Sequence, residues 1–250
     1  MSTWVLLRGL ARESGHWAGF EDVLRERLAA PRMIALDLPG NGALYRQCSH
    51  TRIEAMTAWC LGRLRELGAA PPYYVLAVSL GGMVAVDWAS RAPESLAGGV
   101  LVNTSLRRFS PFHQRLRPAS WPQLLSIALG PGSAADREAS VLRLTSRRPQ
   151  AAAAVLERWA TLRRTQPVAP ANALRQLLAA ARYRAPAQAP RVPLLILSSR
   201  RDALVDPRCS QAIAAHWHCE SAVNPAAGHD LTLDDGPWVA EQVARWLESM

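Results

Sequence analysis

The chain has 250 residues, 49% of them hydrophobic, and a formal net charge of +9. That length supports one core with room for an insertion, and no apolar run approaches the about 18–20 residues that span a bilayer; no membrane partner is expected. All the basic charge is arginine, spread along the chain with doublets only at 107–108, 147–148, 163–164 and 200–201. A nucleic-acid surface concentrates its charge, so no nucleic-acid partner is expected, only a positive field that favours anionic substrates.

Residues 3–7 read as a strand that begins almost at Met1, too short and too poorly flanked for a signal peptide; the expected location is the cytoplasm. Residues 17–28 carry Phe20, Val23, Leu24 and Leu28 at helical spacing. A second strand, 33–36, runs into the turn-rich loop Asp37-Leu38-Pro39-Gly40-Asn41-Gly42. A helix over 53–67 ends at Gly68, and residues 73–78 form a third strand leading directly into a helix over 80–89. Residues 98–102 make a fourth strand. From about 103 to 189 the alternation stops and helical periods, broken by proline and glycine, take over. The strand pattern then resumes at 193–197 and 221–223, with helices over 206–217 and 237–247.

Strands alternating with helices mean a mostly or wholly parallel sheet of about six strands, covered on both faces. The division expected is a core of residues 1–105 and 187–250 with a helical lid inserted at 106–186. Cys48, Cys60, Cys209 and Cys219 are scattered, without metal-ligand spacing; no disulfide, metal or organic cofactor is expected.

Chemistry concentrates in four places. In Ala77-Val78-Ser79-Leu80-Gly81-Gly82, a buried strand ends in small-x-Ser-x-Gly and turns straight into a helix. A serine there sits on a strained turn at a helix N-terminus, with small neighbours because strand and helix backbones crowd. The Leu80 N–H then points toward a developing oxyanion. Second, Gly228-His229-Asp230 follows the last short strand, at the sheet edge where such folds build sites. His16, by contrast, lies at a helix start upstream of the serine, near an entrance. Third, Asp202 lies just past a strand, and the order Ser79, Asp202, His229 is the acid-in-the-middle order of a strand-elbow hydrolase. Asp206 competes, but Asp206-Pro207 reads as a helix cap and first helical residue. Fourth, Leu6-Leu7-Arg8-Gly9-Leu10 ends the first strand, and the Leu10 N–H is the natural second oxyanion donor.

These pieces in this order resemble the α/β-hydrolase superfamily of serine hydrolases. Ala77 to Met83, Leu36 to Gly42, Arg201 to Val205 and Gly228 to Asp230 are similar to its small lidded carboxylesterases, in the group of the biotin-pathway carboxylesterases and meta-cleavage-product hydrolases. The resemblance implies hydrolysis of a small carboxylic ester or thioester through an acyl-enzyme. Acyl transfer, C–C bond hydrolysis and perhydrolysis run on the same triad, and a non-catalytic binding protein on the same fold is the reading from another class. Two departures stand out. The family's His-Gly after the first strand is Arg8-Gly9 here, so Arg8 either pairs with Glu13 to brace the loop, the favoured reading, or faces the pocket as a contact for an anionic group. The family's first two strands find no room before Thr3, so the sheet should be trimmed and wholly parallel.

Overall fold

The computed structural model describes residues 2–250. Its six strands form one sheet in the order β2-β1-β3-β4-β5-β6, every neighbouring pair parallel. They are β1 Thr3–Leu7, β2 Arg32–Leu36, β3 Tyr73–Val78, β4 Leu96–Val102, β5 Leu194–Ser199 and β6 Glu220–Asn224. The wholly parallel sheet of about six strands expected from the sequence is the one observed.

Strand side chains alternate between two apolar layers. Val5, Leu7, Val75 and Ala77 face a cluster completed by α2 (Ile53–Glu66), α3 (Leu80–Arg91) and α9 (Arg208–Trp217). Trp4, Leu6, Leu76 and Val78 face the other way, against α1 (Phe20–Arg27) and α11 (Gly236–Ser249). Both faces being dry explains why the strands read as continuous hydrophobic runs.

The periodicity over 17–28 overextends its helix. Residues Ser14–Trp17 form a 3-10 turn, and α1 begins only at Phe20. Ala18 and Gly19 intervene with φ of 54° and 84°; two left-handed residues cannot continue a right-handed helix, and glycine bears that conformation without a Cβ clash.

Between β4 and β5 the chain builds α4 (Phe112–Arg115), α5 (Trp121–Leu129), α6 (Ala134–Thr145), α7 (Pro149–Thr165) and α8 (Pro170–Arg182). This helical segment sits over the C-terminal edge of the sheet, in contact with the loops that leave β1, β5 and β6. The short α10 (Leu231–Asp234) follows the loop after β6. No helix among the described residues is long and apolar enough to cross a membrane.

Candidate active site

Ser79 joins β3 to α3 with φ 53° and ψ −111°, outside the regions an L-residue prefers. The crowding that holds it there is explicit. A Cβ on Gly81 would lie 2.7 Å from the Leu7 carbonyl oxygen and 2.8 Å from that of Arg8. A Cβ on Gly82 would run into Thr104. The Ser79 N–H donates to the Val102 carbonyl at 2.8 Å, which ties the turn to β4. The result is a half-buried hydroxyl at the sheet's C-terminal edge, at the start of α3. Leu80, the first residue of that helix, has an N–H with no carbonyl four residues back to accept it.

His229 and Asp202 come together from the loops after β6 and β5. The imidazole Nδ1 lies 2.7 Å from Asp202 Oδ2. Asp202 Oδ1 accepts from the backbone N–H groups of Leu204 and Val205 at 2.8 and 3.0 Å. The carboxylate is 1% exposed, so every lone pair that matters is used inside the protein. An Nδ1 that donates to a carboxylate leaves Nε2 as the acceptor in the neutral ring. Burial works against the imidazolium, but the Asp202 charge and hydrogen bond outweigh it with help from Asp230, and the His229 pKa lies above the ordinary 6.5. Asp206 stays apart: its carboxylate accepts from the Arg208 N–H and pairs with the Arg208 guanidinium at 2.7 Å, at the entry to α9. That helix starts at Arg208 with Pro207 in the N-cap position, one residue later than the expected cap at Asp206, whose carboxylate still accepts from the first helical N–H.

Ser79 and His229 are linked through two buried residues, Val102, whose carbonyl accepts from the Ser79 N–H, and Asn103. Asn103, next after Val102, has φ 49° and donates through Nδ2 to the His229 carbonyl at 2.8 Å and to Ser199 Oγ at 3.0 Å. Its Oδ1 accepts from the Ser199 N–H at 2.9 Å. Asn103 therefore binds the ends of β4 and β5 to the histidine loop. Among the described residues no hydrogen bond joins Ser79 Oγ to the imidazole; such contacts commonly tighten only around a bound substrate.

The loop after β1 closes the other side. A Cβ on Gly9 would lie 3.3 Å from Ser79 Cβ, so Gly9 packs directly against the serine. Arg8 does not pair with Glu13, contrary to the favoured sequence reading. Its guanidinium makes a two-pronged contact with Asp230, 3.1 and 2.6 Å, and a third bond to Thr232 Oγ1 at 3.1 Å. The pair is buried, and it binds the β1 loop to the residue after His229. A partner 222 positions away holds the guanidinium by two charge-assisted hydrogen bonds in a buried site, the strong form of such a pair. The Asp230 pKa is lowered: burial raises it, and Arg8 more than reverses that.

Glu13 is instead a buried carboxyl that makes no ion pair among the described residues, although the Arg12 charge lies near enough to oppose part of its shift. Burial and the neighbouring Asp37 push its pKa up to about 7. Its N–H donates to His16 Nδ1 at 3.1 Å. His16 does not line an entrance: it is buried against Trp159, ring centroids 5.0 Å apart. Burial, then Arg12 and Arg8, holds its pKa well below the ordinary value, so it is neutral.

Three further contacts escaped the sequence reading, two of them between the β1 loop and the helical segment and one within that segment. Arg12 reaches Glu138 on α6 at 2.7 Å, and Arg163 on α7 reaches the same carboxylate at 2.6 Å. The Ala11 N–H donates to Gln176 Oε1 on α8 at 2.8 Å. Asn103 had one legible signal, a short polar residue directly after a strand, where asparagine tolerates a left-handed backbone. Glu138 and Gln176 had none, since each occupies an unremarkable helix position.

The alpha/beta hydrolase family matches residues 4–242. A pimeloyl-[acyl-carrier protein] methyl ester esterase of Nitrosomonas europaea is 36% identical over 118 residues, a stretch covering 47% of this chain and 40% of that protein. The chain thus matches less than half the length of that curated relative. Among solved structures, a thermophilic esterase from Thermogutta terrifontis is similar at TM-score 0.74 and 23% identity, over 100% of this chain and 90% of that one. An enol-lactonase from Burkholderia xenovorans is similar at TM-score 0.79 and 19% identity, over 99% and 91%. At those identities the solved structures speak for the fold. The family match spans the strands, the elbow and the histidine loop alike, and the chain belongs to the alpha/beta hydrolase family.

Proposed function

We propose that this protein is a serine carboxylesterase acting on small carboxylic esters, thioesters included, through an acyl-enzyme. The observation that carries the reading is the His229–Asp202 contact of 2.7 Å beside a serine held at positive φ on the β3–α3 turn. An esterase name on the Nitrosomonas relative, and on the Thermogutta neighbour, agrees with it.

In this mechanism Ser79 Oγ attacks the ester carbonyl carbon while His229 Nε2 takes the hydroxyl proton. Asp202 keeps the ring oriented with its Nδ1 proton inward and stabilises the imidazolium. The carbonyl oxygen becomes an oxyanion and accepts from the N–H groups of Leu10 and Leu80, with the α3 N-terminus adding its dipole. Collapse breaks the ester C–O bond; the leaving alcohol takes the proton from His229, and the acyl group remains on Ser79. Water then attacks, His229 again accepts and returns a proton, and the acid leaves. Residues 106–186 act as a helical lid over this edge and set acyl and alcohol selectivity.

A fluorophosphonate probe tests the assignment. The expected result is stoichiometric labelling of Ser79, and complete loss of p-nitrophenyl ester turnover in Ser79→Ala with an unchanged melting temperature. Turnover by Ser79→Ala within tenfold of wild type would sink it.

A further inference from the structure

We infer that Gln176, on α8, is a positioning residue for the oxyanion hole: it holds the β1 loop in the conformation that aims the Leu10 N–H at the reacting carbonyl. The inference rests on the esterase reading above and adds to it a residue from the helical segment.

Leu10 is flanked by two constrained positions. Gly9 is pressed against Ser79, and Ala11 has φ 55°, a left-handed conformation that a residue with a Cβ holds only when its surroundings impose it. The left-handed residue sits in a turn closed by the Arg12 N–H donating to the Gly9 carbonyl at 3.2 Å, and the 2.8 Å bond from the Ala11 N–H to Gln176 Oε1 anchors that turn to α8. Loss of the Gln176 bond releases the turn that carries the oxyanion donor from its anchor.

Gln176 is itself immobilised. It is 0% exposed. Its Nε2 donates to Asn41 Oδ1 at 2.8 Å and to Ser49 Oγ at 3.0 Å. Asn41 Nδ2 in turn donates to the Arg12 carbonyl at 2.9 Å. One amide therefore grips the loop through its N–H at Ala11, and the other grips it through its C=O at Arg12. Asn172, one turn earlier on α8, seals the same junction by accepting from the Ser49 N–H at 3.0 Å and donating to the Gln47 carbonyl at 2.9 Å. Gly40 leaves the space: a Cβ there would collide with Ser49 Oγ and the Asn172 amide. The Pro39-Gly40-Asn41 turn thus has a specific task, to seat α8 against the β1 loop. Every donor and acceptor of the Gln176 amide that the loop needs is used, and such a network orients its members more firmly than any single bond.

The chemistry separates positioning from mere stability. A loosened Leu10 N–H lowers stabilisation of the tetrahedral oxyanion and leaves ground-state binding almost untouched, so kcat falls while KM holds. The test uses the whole protein, with kcat expressed per active site from fluorophosphonate titration, so that partial unfolding drops out. Gln176→Met keeps the volume and removes the acceptor. The expected result is kcat lowered about 10- to 100-fold with KM within twofold, and a parallel loss of affinity for a trifluoromethyl ketone, whose serine adduct carries the oxyanion. Ser49→Ala removes a bond at the far end of the same amide and leaves the Ala11 contact in place; its kcat is expected within threefold of wild type. Should Gln176→Met not fold, Asn41→Ala carries the test, with the same kcat and KM pattern expected. A per-site kcat for Gln176→Met within threefold of wild type overturns the inference, as does an equal loss in Ser49→Ala. If wild-type protein takes no probe on Ser79, the esterase reading falls and this inference falls with it; if the probe labels and kcat is indifferent to Gln176, only the inference falls.

Discussion

Two carboxylates show how local surroundings separate residues of one type. Asp202 contacts His229, and Asp206 serves α9 and Arg208. Asp202→Asn is therefore expected to lower kcat on the order of 10⁴-fold, the size of the corresponding change in a Ser-His-Asp enzyme, while Asp206→Asn stays within tenfold. If the order is reversed, the acid is misassigned. The same contact raises the His229 pKa, so the proposed base is protonated on acidification earlier than an isolated histidine would be. The acid limb of kcat/KM should have its midpoint above 6.5; a midpoint at or below that value contradicts it. Glu13 works in the opposite sense from a paired carboxylate. Its pKa is raised to about 7 from 4.5, so the folded state binds the proton more tightly than the unfolded chain. The stability tied to that proton is full below about pH 4.5 and is lost as pH rises toward about 7. Glu13→Gln should thus raise the melting temperature at pH 8 more than at pH 5; a gap that does not widen with pH overturns this.

The β3–α3 turn is the element in which sequence and function coincide most closely. Its small residues follow from backbone crowding: α3 passes so close to the end of β1 that Gly81 faces two carbonyl oxygens at under 3 Å from any added Cβ. Gly81→Ala should cost about 1–3 kcal/mol or more, because neither backbone can yield as a side-chain tip would. Thermal or urea unfolding measures this, and a loss below 0.5 kcal/mol, the ordinary range for a neutral surface substitution, would refute the crowding argument. A similar economy explains Arg8. Where the family resemblance suggests a histidine, an arginine spans to Asp230 and Thr232, and binds the β1 loop to the histidine loop in one step.

Across the whole molecule, the helical segment does more than cover the sheet edge. Arg117 and Ser120 donate to the carbonyls of Asp202 and Ala203. The Thr145 carbonyl accepts from the Asp230 N–H at 2.9 Å, and Ser146 binds Asp234. Glu138 and Gln176 hold the β1 loop. The loops after β1, β5 and β6 thus all lean on the helical segment between β4 and β5. Glu138 is its most charged joint, 1% exposed between two guanidinium groups. Burial raises its pKa, and Arg12 and Arg163 lower it further than that, so the net shift is downward. The stabilisation this represents is present above the unfolded value of 4.5 and fades as pH falls through the lower folded one. Glu138→Gln should cost about 3–5 kcal/mol at pH 7, the size of a broken buried pair, and the deficit should shrink in strong acid. A pH-independent deficit would mean that shape and not charge holds the joint.

The sequence by itself determined the parallel sheet, because strands dry on both faces must be apolar throughout and their helices must follow a 3.6-residue period. It also singled out Ser79, Asp202 and His229 as candidates, since each follows a strand at the same edge of the sheet. What it left open was pairing at long range. Arg8 and Glu13 are five positions apart and suited to each other by charge, yet Asp230 takes the arginine and Glu13 is left buried beside Asp37. Glu138 and Gln176 are ordinary residues in their own segments, and their tasks exist only where α6, α7 and α8 fold back over the β1 loop, while Asn103 meets its partners only where the end of β5 and the loop after β6 converge. Periodicity and turn chemistry are local and survive in one dimension; a hydrogen bond between residues 165 positions apart depends on where two backbones are brought, and that only the tertiary structure decides.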